Sequence, residues 1–139
     1  VKYLLDTCVI SELVRPISSP KVTEWLDSHD EQDFFLSAIT LGEIEKGISK
    51  LTDGKKKMQL QAWLAFDLLE RFNGRILCVT TEVALRWGRI LGDSEKKVKV
   101  LPVIDALIAA TAITNGLTLV TRNTSDMTAS EAPLFDPWE

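Results

Sequence analysis

Asp105 is the only charged residue between Lys99 and Arg122, and it lies inside VIDALIAATAI, a run otherwise suited to a protein core. A carboxylate among apolar side chains costs free energy unless a cation or hydrogen-bond donors compensate it. A second carboxylate of this kind, Asp6, stops the short apolar run at the start of the chain, KYLLDTCVI. Two acids that interrupt apolar elements suggest one shared partner, and a divalent metal ion is the obvious candidate. Glu43 and Asp126 extend the set.

The elements that must position these acids are legible in apolar periodicity and in cap and turn signals. Tyr3–Leu5 reads as a short buried strand, followed by a helical VISELV that Pro16 stops. Ser19 followed by Pro20 predicts a capped helix start, with Val22, Trp25 and Leu26 at helical spacing. Phe34–Ser37 reads as a second strand, and Thr40-Leu-Gly-Glu43 as a capping box opening a helix through Ile44, Ile48 and Leu51. A turn at Asp53-Gly54 leads into a longer helix over residues 56–72, ending near Asn73-Gly74. Ile76–Val79 makes a third strand, Thr80 or Thr81 caps a helix over 82–92, and the charged stretch Glu95–Lys99 follows. Pro102 starts the helix of Asp105, which closes at Asn115-Gly116. Leu117–Thr121 is a fourth strand, and Leu134-Phe135 adds a short fifth.

Strands alternating with helices predict a three-layer α/β domain with a mainly parallel central sheet of four to five strands flanked by helices. Right-handed crossovers put every strand-to-helix loop on one edge of that sheet. Ligand sites in such folds lie at the carboxyl ends of the strands. Asp6 ends the first strand, Glu43 falls in the first turn after the second, Asp105 follows Pro102 within a turn or two, and Asp126 follows the fourth strand in the loop TRNTSD. All four are therefore expected on one edge. Helix N-termini favour negative charge by only about 0.3–1 kcal/mol each, too little to hold four mutually repelling carboxylates together. A hard divalent ion is the better account, and Mg²⁺ or Mn²⁺ suits a carboxylate site open to water and phosphate. Thr121 and Asn123 stand beside these acids, placed to orient water or a carboxylate by hydrogen bonding.

The bulk numbers fit this picture without deciding it. At 139 residues the chain is expected to form one domain, residues 1–139, with a core large enough to fold unaided. A hydrophobic content of 45% and a charged content of 26% are ordinary for a globular protein. The net charge of −4 is not the basic footprint of a nucleic-acid binder, although bound cations reverse the local field. Cys8 and Cys78 have neither CxxC spacing nor nearby histidines, so both are expected as plain buried thiols. No signal peptide or membrane span is visible, which makes the cytoplasm the expected location. His29 reads as a surface residue, and no Ser/His/Asp arrangement offers an alternative chemistry.

LLDTCVISEL, TLGEIEKG, PVIDALIAATA and LVTRNTSDM, in this order and at these spacings, resemble the four motifs of PIN-domain ribonucleases. The likeness runs from Tyr3 to about Trp138 and is greatest to VapC-type toxins of bacterial toxin–antitoxin pairs, including their FitB-like branch. The resemblance implies a metal-dependent RNA endonuclease held inactive by a small cognate antitoxin. It maps the family's acids onto Asp6, Glu43, Asp105 and Asp126, with Asp6 and Asp105 as direct metal contacts and Glu43 binding directly or through water. Cys8 stands where many members have Asn, and Met127 where many have Phe. The resemblance also implies toxin–antitoxin hetero-oligomers or a homodimer, DNA being reached only through the antitoxin. An antitoxin arginine is expected to reach the acids, with helical parts packing near Ile10, Leu13 and Trp25.

RNA needs cationic contacts besides the metal. Lys55, Lys56, Lys57, Lys96, Lys97 and Lys99 are possible contributors, and Trp138 is a possible stacking surface, whereas Trp25, Trp63 and Trp87 sit at core or interface spacing. A haloacid dehalogenase-type phosphatase needs a second Asp where Cys8 stands, and a receiver domain needs its phosphoacceptor after a middle strand. The competing function is non-enzymatic: a partner whose main role is to join its antitoxin in DNA-bound autorepression.

Overall fold

The computed structural model describes residues 1–97 and 100–139, so Lys99 lies outside the described residues. Five strands, β1 (Tyr3–Leu5), β2 (Phe34–Ser37), β3 (Ile76–Leu77), β4 (Thr118–Val120) and β5 (Leu134–Phe135), form one sheet in the order β3-β2-β1-β4-β5. Every pairing is parallel. Side chains alternate between the two faces of a strand, and the core divides accordingly. Leu5, Phe34, Leu36 and Val120 pack under α1 (Thr7–Glu12), α2 (Pro20–Asp27), α3 (Ala38–Ser49) and the helical stretch after it. Leu4 and Leu119 pack on the opposite face against α7 (Val103–Thr114) and Met127. The layers are therefore helix, sheet, helix, as the apolar pattern predicts.

Several boundaries differ from the sequence expectation, each for a physical reason. The helix expected over 56–72 is α4 (Lys55–Ala62), a π-helical segment Trp63–Leu68 and a short α5 (Leu69–Arg71). Leu60, Leu64, Leu68 and Phe72 all face the core and recur every fourth residue. An α-helix drifts by about 40° over four residues, and the wider π turns offset that drift. Strand β3 stops at Leu77, so Cys78 is exposed rather than buried. Ser19 does occupy the N-cap of α2, but its side chain makes no cap bond. Its backbone N–H instead donates to Oε2 of the buried Glu12 at 2.9 Å. Helix α6 (Thr81–Glu95) is longer than expected and is capped by Thr80, whose hydroxyl accepts from Val83 N. Gly74 and Gly116, both at positive φ (82° and 66°), close their helices where the Asn-Gly pairs predict. Among the described residues, no helix is long and apolar enough to cross a membrane.

The α6 and α7 pair fixes the start of α7 and hence Asp105. Ser94 Oγ accepts from Leu101 N, and Trp87 Nε1 donates to Val103 O at 3.1 Å. On the other side of the sheet, the buried Arg75 guanidinium donates to the carbonyls of Glu31 (2.6 Å), Phe34 (2.7 Å) and Arg71 (2.5 Å). It also lies over the Phe72 ring at 4.9 Å. Arg75→Met is expected to lower stability by about 2–3 kcal/mol, because the buried Phe34 carbonyl and two part-buried ones lose a charged donor. Arg75→Lys should recover only part of the loss, since an ammonium cannot reproduce the planar fork. Urea midpoints decide it, and a Met variant as stable as the parent would assign those carbonyls to other donors.

Candidate functional site

Asp6 is the deepest of the four acids, 7% exposed, and its geometry follows from where β1 must stop. Its N–H makes the last sheet bond, to Val120 O at 3.0 Å, while its carbonyl already accepts from Val9 N at 3.0 Å. It therefore serves as the N-cap of α1, with φ −74° and ψ 163°. Oδ1 accepts from Thr7 N and Oδ2 from Thr121 Oγ1, both at 2.8 Å. Thr121 is fully buried and also accepts from Asn123 N at 3.1 Å. Its one proton is given to Asp6, so the Cys8 thiol, 3.8 Å away, is the donor to Thr121. Burial pushes the Cys8 thiol up, which keeps that proton in place, although the Arg122 backbone N–H at the sulfur pulls the other way. Burial also raises Asp6, while its bonds from Thr121 and Thr7 oppose the shift.

Glu43 reaches the site differently from the sequence expectation. Helix α3 begins two residues before Thr40, with the Ser37 hydroxyl accepting from Ile39 N at 3.1 Å. Glu43 therefore lies in the second turn and closes no capping box. Thr40 is buried instead, and its hydroxyl has no partner among the described residues. Glu43 is exposed, and its Oε1 accepts from Thr7 Oγ1 at 2.8 Å. Thr7 thus ties Asp6 to Glu43, one through its backbone and the other through its hydroxyl.

Asp105 stands in the first turn of α7 and is only half-buried; burial of that helix begins at Ala106. Asp126 is exposed and lies in a short helix, α8 (Thr124–Met127), rather than in an open loop. Asn123 occupies the N-cap position of α8 but makes no side-chain cap bond; its backbone carbonyl accepts from Asp126 N at 3.2 Å. Burial raises the Asp105 carboxyl above the usual range, and the charges of Asp6, Glu43 and Asp126 raise it further. The field at Asp105 thus gathers all four acids. Among the described residues no lysine or arginine forms an ion pair with Asp6, Glu43 or Asp105.

Among the described residues no three His, Cys, Asp or Glu side chains form a ready-made metal cage. The donor set nevertheless fits a hard divalent cation: oxygen ligands only, no ion pair to Asp6, Glu43 or Asp105 among the described residues, and two threonines orienting Asp6 and Glu43. Thr7 and the thiol of Cys8 are the supporting groups that the sequence did not single out. A hydroxyl immediately after a strand-ending Asp, at the first position of a helix, was the available signal for Thr7.

An apolar groove of about 290 Å³ opens beside the acids, lined by Ile10, Val14, Ile44, Leu51, Leu60 and Trp63, with Thr7 and Glu43 also contributing to its walls. Of Ile10, Leu13 and Trp25, only Ile10 lines it. Leu13 borders a different hollow, and Trp25 stacks on Phe135 at 5.1 Å within an aromatic cluster that includes Tyr3 and Phe34. His29 belongs to that cluster too. Its Nδ1 bonds Trp25 O at 2.7 Å, and its Nε2 lies 3.5 Å from the Tyr3 hydroxyl, so it is more enclosed than a free surface histidine.

Residues 3–127 match the PIN domain family. The chain is 41% identical over 135 residues to toxin FitB of Neisseria gonorrhoeae, covering 97% of both chains. It is 32% identical over 136 residues to VapC ribonuclease Y4jK of Sinorhizobium fredii, covering 98% of this chain and 97% of that one. A solved structure of FitAB bound to a DNA fragment superposes with a TM-score of 0.93 at 39% identity, over 99% of this chain and 96% of that chain. Matched from β1 to α8 and aligned nearly end to end with these relatives, the chain belongs to the PIN-domain family, among the VapC/FitB-like toxins of toxin–antitoxin systems.

Proposed function

We propose that this chain is a divalent-metal-dependent endoribonuclease, the toxin of its pair, which acts in the cytoplasm on RNA phosphodiester bonds. The observation that carries the reading is the tie of Thr7 to both Asp6 and Glu43, together with the charges of Asp6, Glu43 and Asp126 that act on Asp105, while among the described residues no cation pairs with Asp6, Glu43 or Asp105. Asp6, Glu43, Asp105 and Asp126 would hold Mg²⁺ or Mn²⁺. Such an ion supplies a Lewis acid for a phosphoryl oxygen and lowers the pKa of water. Thr121 and Thr7 hold Asp6 in one orientation, and Thr7 does the same for Glu43. Both ring nitrogens of His29 face Trp25 and Tyr3, which leaves carboxylates as the acid–base groups at this edge.

The names of the relatives, a toxin and a ribonuclease, support the same reading. A cognate antitoxin fits the groove beside Glu43: an apolar helix covers Ile44, Leu60 and Trp63, and a basic side chain reaches the acids, binding carboxylate bidentately if it is arginine. The exposed Leu85, Val103 and Ile104 offer apolar area for a second copy of the chain. A second reading, a non-catalytic partner in DNA-bound autorepression, is favoured by the FitAB structure on DNA.

Partner-free protein is expected to cleave total cellular RNA with Mg²⁺ and to stop when the ion is chelated. Asp6→Asn and Asp105→Asn should each lower the rate at least about a hundredfold, since loss of a group that merely supports a metal ligand already costs about 10–100-fold. RNA left intact by folded, metal-supplied parent protein would favour the non-catalytic reading. For the partner, Ile44→Glu is expected to weaken antitoxin capture about a hundredfold, a typical loss at a buried interface anchor. Retained affinity would place the antitoxin elsewhere.

A further inference from the structure

Four carboxylates at one edge repel an approaching polyanion, so a ribonuclease site here needs a cation that meets the RNA backbone directly. Most arginines of known geometry are committed elsewhere. Arg15 pairs with Glu12, Arg71 with Glu31, and Arg75 serves backbone carbonyls. Lys57 pairs with Asp53. Arg86, Arg89 and Lys97 share a separate pocket with Asp93 and Glu131.

Arg122 differs in place and in support. It follows Thr121, the residue that holds Asp6, and precedes Asn123, which opens the helix of Asp126. Arg122 is an exposed residue, and its guanidinium lies 5.0 Å over the ring of Trp138. Trp138 is anchored in turn: its backbone N–H donates to Asp136 Oδ1 at 2.8 Å, and its side chain packs against the core cluster that includes Leu5 and Val120. The segment that carries it is tied to the end of β4 by the bond from Thr121 N to Phe135 O at 3.0 Å. A guanidinium lying on a ring face keeps its N–H donors for a phosphate. Held in place beforehand, it loses less freedom on binding.

We propose that Arg122, supported by Trp138, is a substrate-positioning contact that clamps an RNA backbone phosphate next to the scissile one. This rests on the ribonuclease reading above and adds a direction to it. In the strand order, the antitoxin groove lies on the β2 side of Asp6, and Arg122 lies on the β4 side. RNA therefore leaves the acids toward β5. An antitoxin arginine would be repelled from Arg122, so the like charge favours RNA over the antitoxin as its occupant.

The test is binding of a fluorescein-labelled, mixed-sequence single-stranded RNA dodecamer to Asp105→Asn protein with Mg²⁺, read by anisotropy over a range of KCl. Adding Arg122→Ala is expected to weaken binding about tenfold and to flatten the salt slope by about 0.7, the share of one phosphate contact on a single strand. Arg122→Lys should restore the slope but only part of the affinity. Trp138→Leu should weaken binding and leave the slope unchanged. In cleavage by otherwise native protein, the Arg122→Ala loss should fall on KM rather than kcat. Unchanged affinity and slope in folded Arg122→Ala protein, or a loss confined to antitoxin binding, overturns the proposal. If native protein fails to cut RNA while Arg122 still governs the slope, the ribonuclease reading fails and the RNA contact stands.

Discussion

The constraint on which the rest of the structure depends is the burial of a carboxylate, Asp6, at the carboxyl end of a central strand. A parallel sheet turns its strands toward helices at the same edge, and Glu43, on the helix after β2, is there tied to the residue that follows Asp6. Burial favours the neutral form, yet Asp6 accepts two hydrogen bonds, from Thr121 and Thr7, that favour its ionised form. The fold thus holds a charge that its surroundings resist.

Much of the surrounding structure serves that arrangement. Thr7 and Thr121 fix Asp6 from two sides, and the Cys8 thiol completes the bonding of Thr121. Strand β5 secures the end of β4, where Thr121 sits. The bonds from Leu101 to Ser94 and from Trp87 to Val103 determine where α7 begins, and so where Asp105 stands. Loss of any of these would misplace an acid without touching it.

The succession of strands and helices along the chain, and the parallel sheet they form, were legible because both follow from apolar alternation and from the crossovers between strands. Asp6, ending YLL, and Asp105, just after Pro102, fell where the pattern placed them. The relative depth of the two was not legible: a half-buried Asp105 depends on the tilt of α7 against α6, a tertiary property. Glu43 was placed on the right edge but given the wrong local role, because Ser37 outcompeted Thr40 as the cap. The π segment was foreshadowed by apolar residues every fourth position from Leu60 to Phe72, a spacing no straight α-helix keeps on one face. The tie from Thr7 to Glu43 joins residues 36 positions apart, and no local pattern encodes it.

The central claim is that these acids are crowded for a cation, and urea unfolding of parent and Asp105→Asn protein tests it most directly. An acid whose folded-state pKa is raised adds stability that is fully present below its unfolded value and lost as pH rises through the folded one. In chelator at pH 7 the Asn variant should therefore be the more stable protein. That advantage should shrink as pH falls through the raised value and vanish below the ordinary aspartate value of 3.8. Mg²⁺ should then stabilise the parent and leave the variant nearly unchanged. A variant less stable than the parent in chelator at pH 7, or a parent midpoint indifferent to Mg²⁺, would contradict the account.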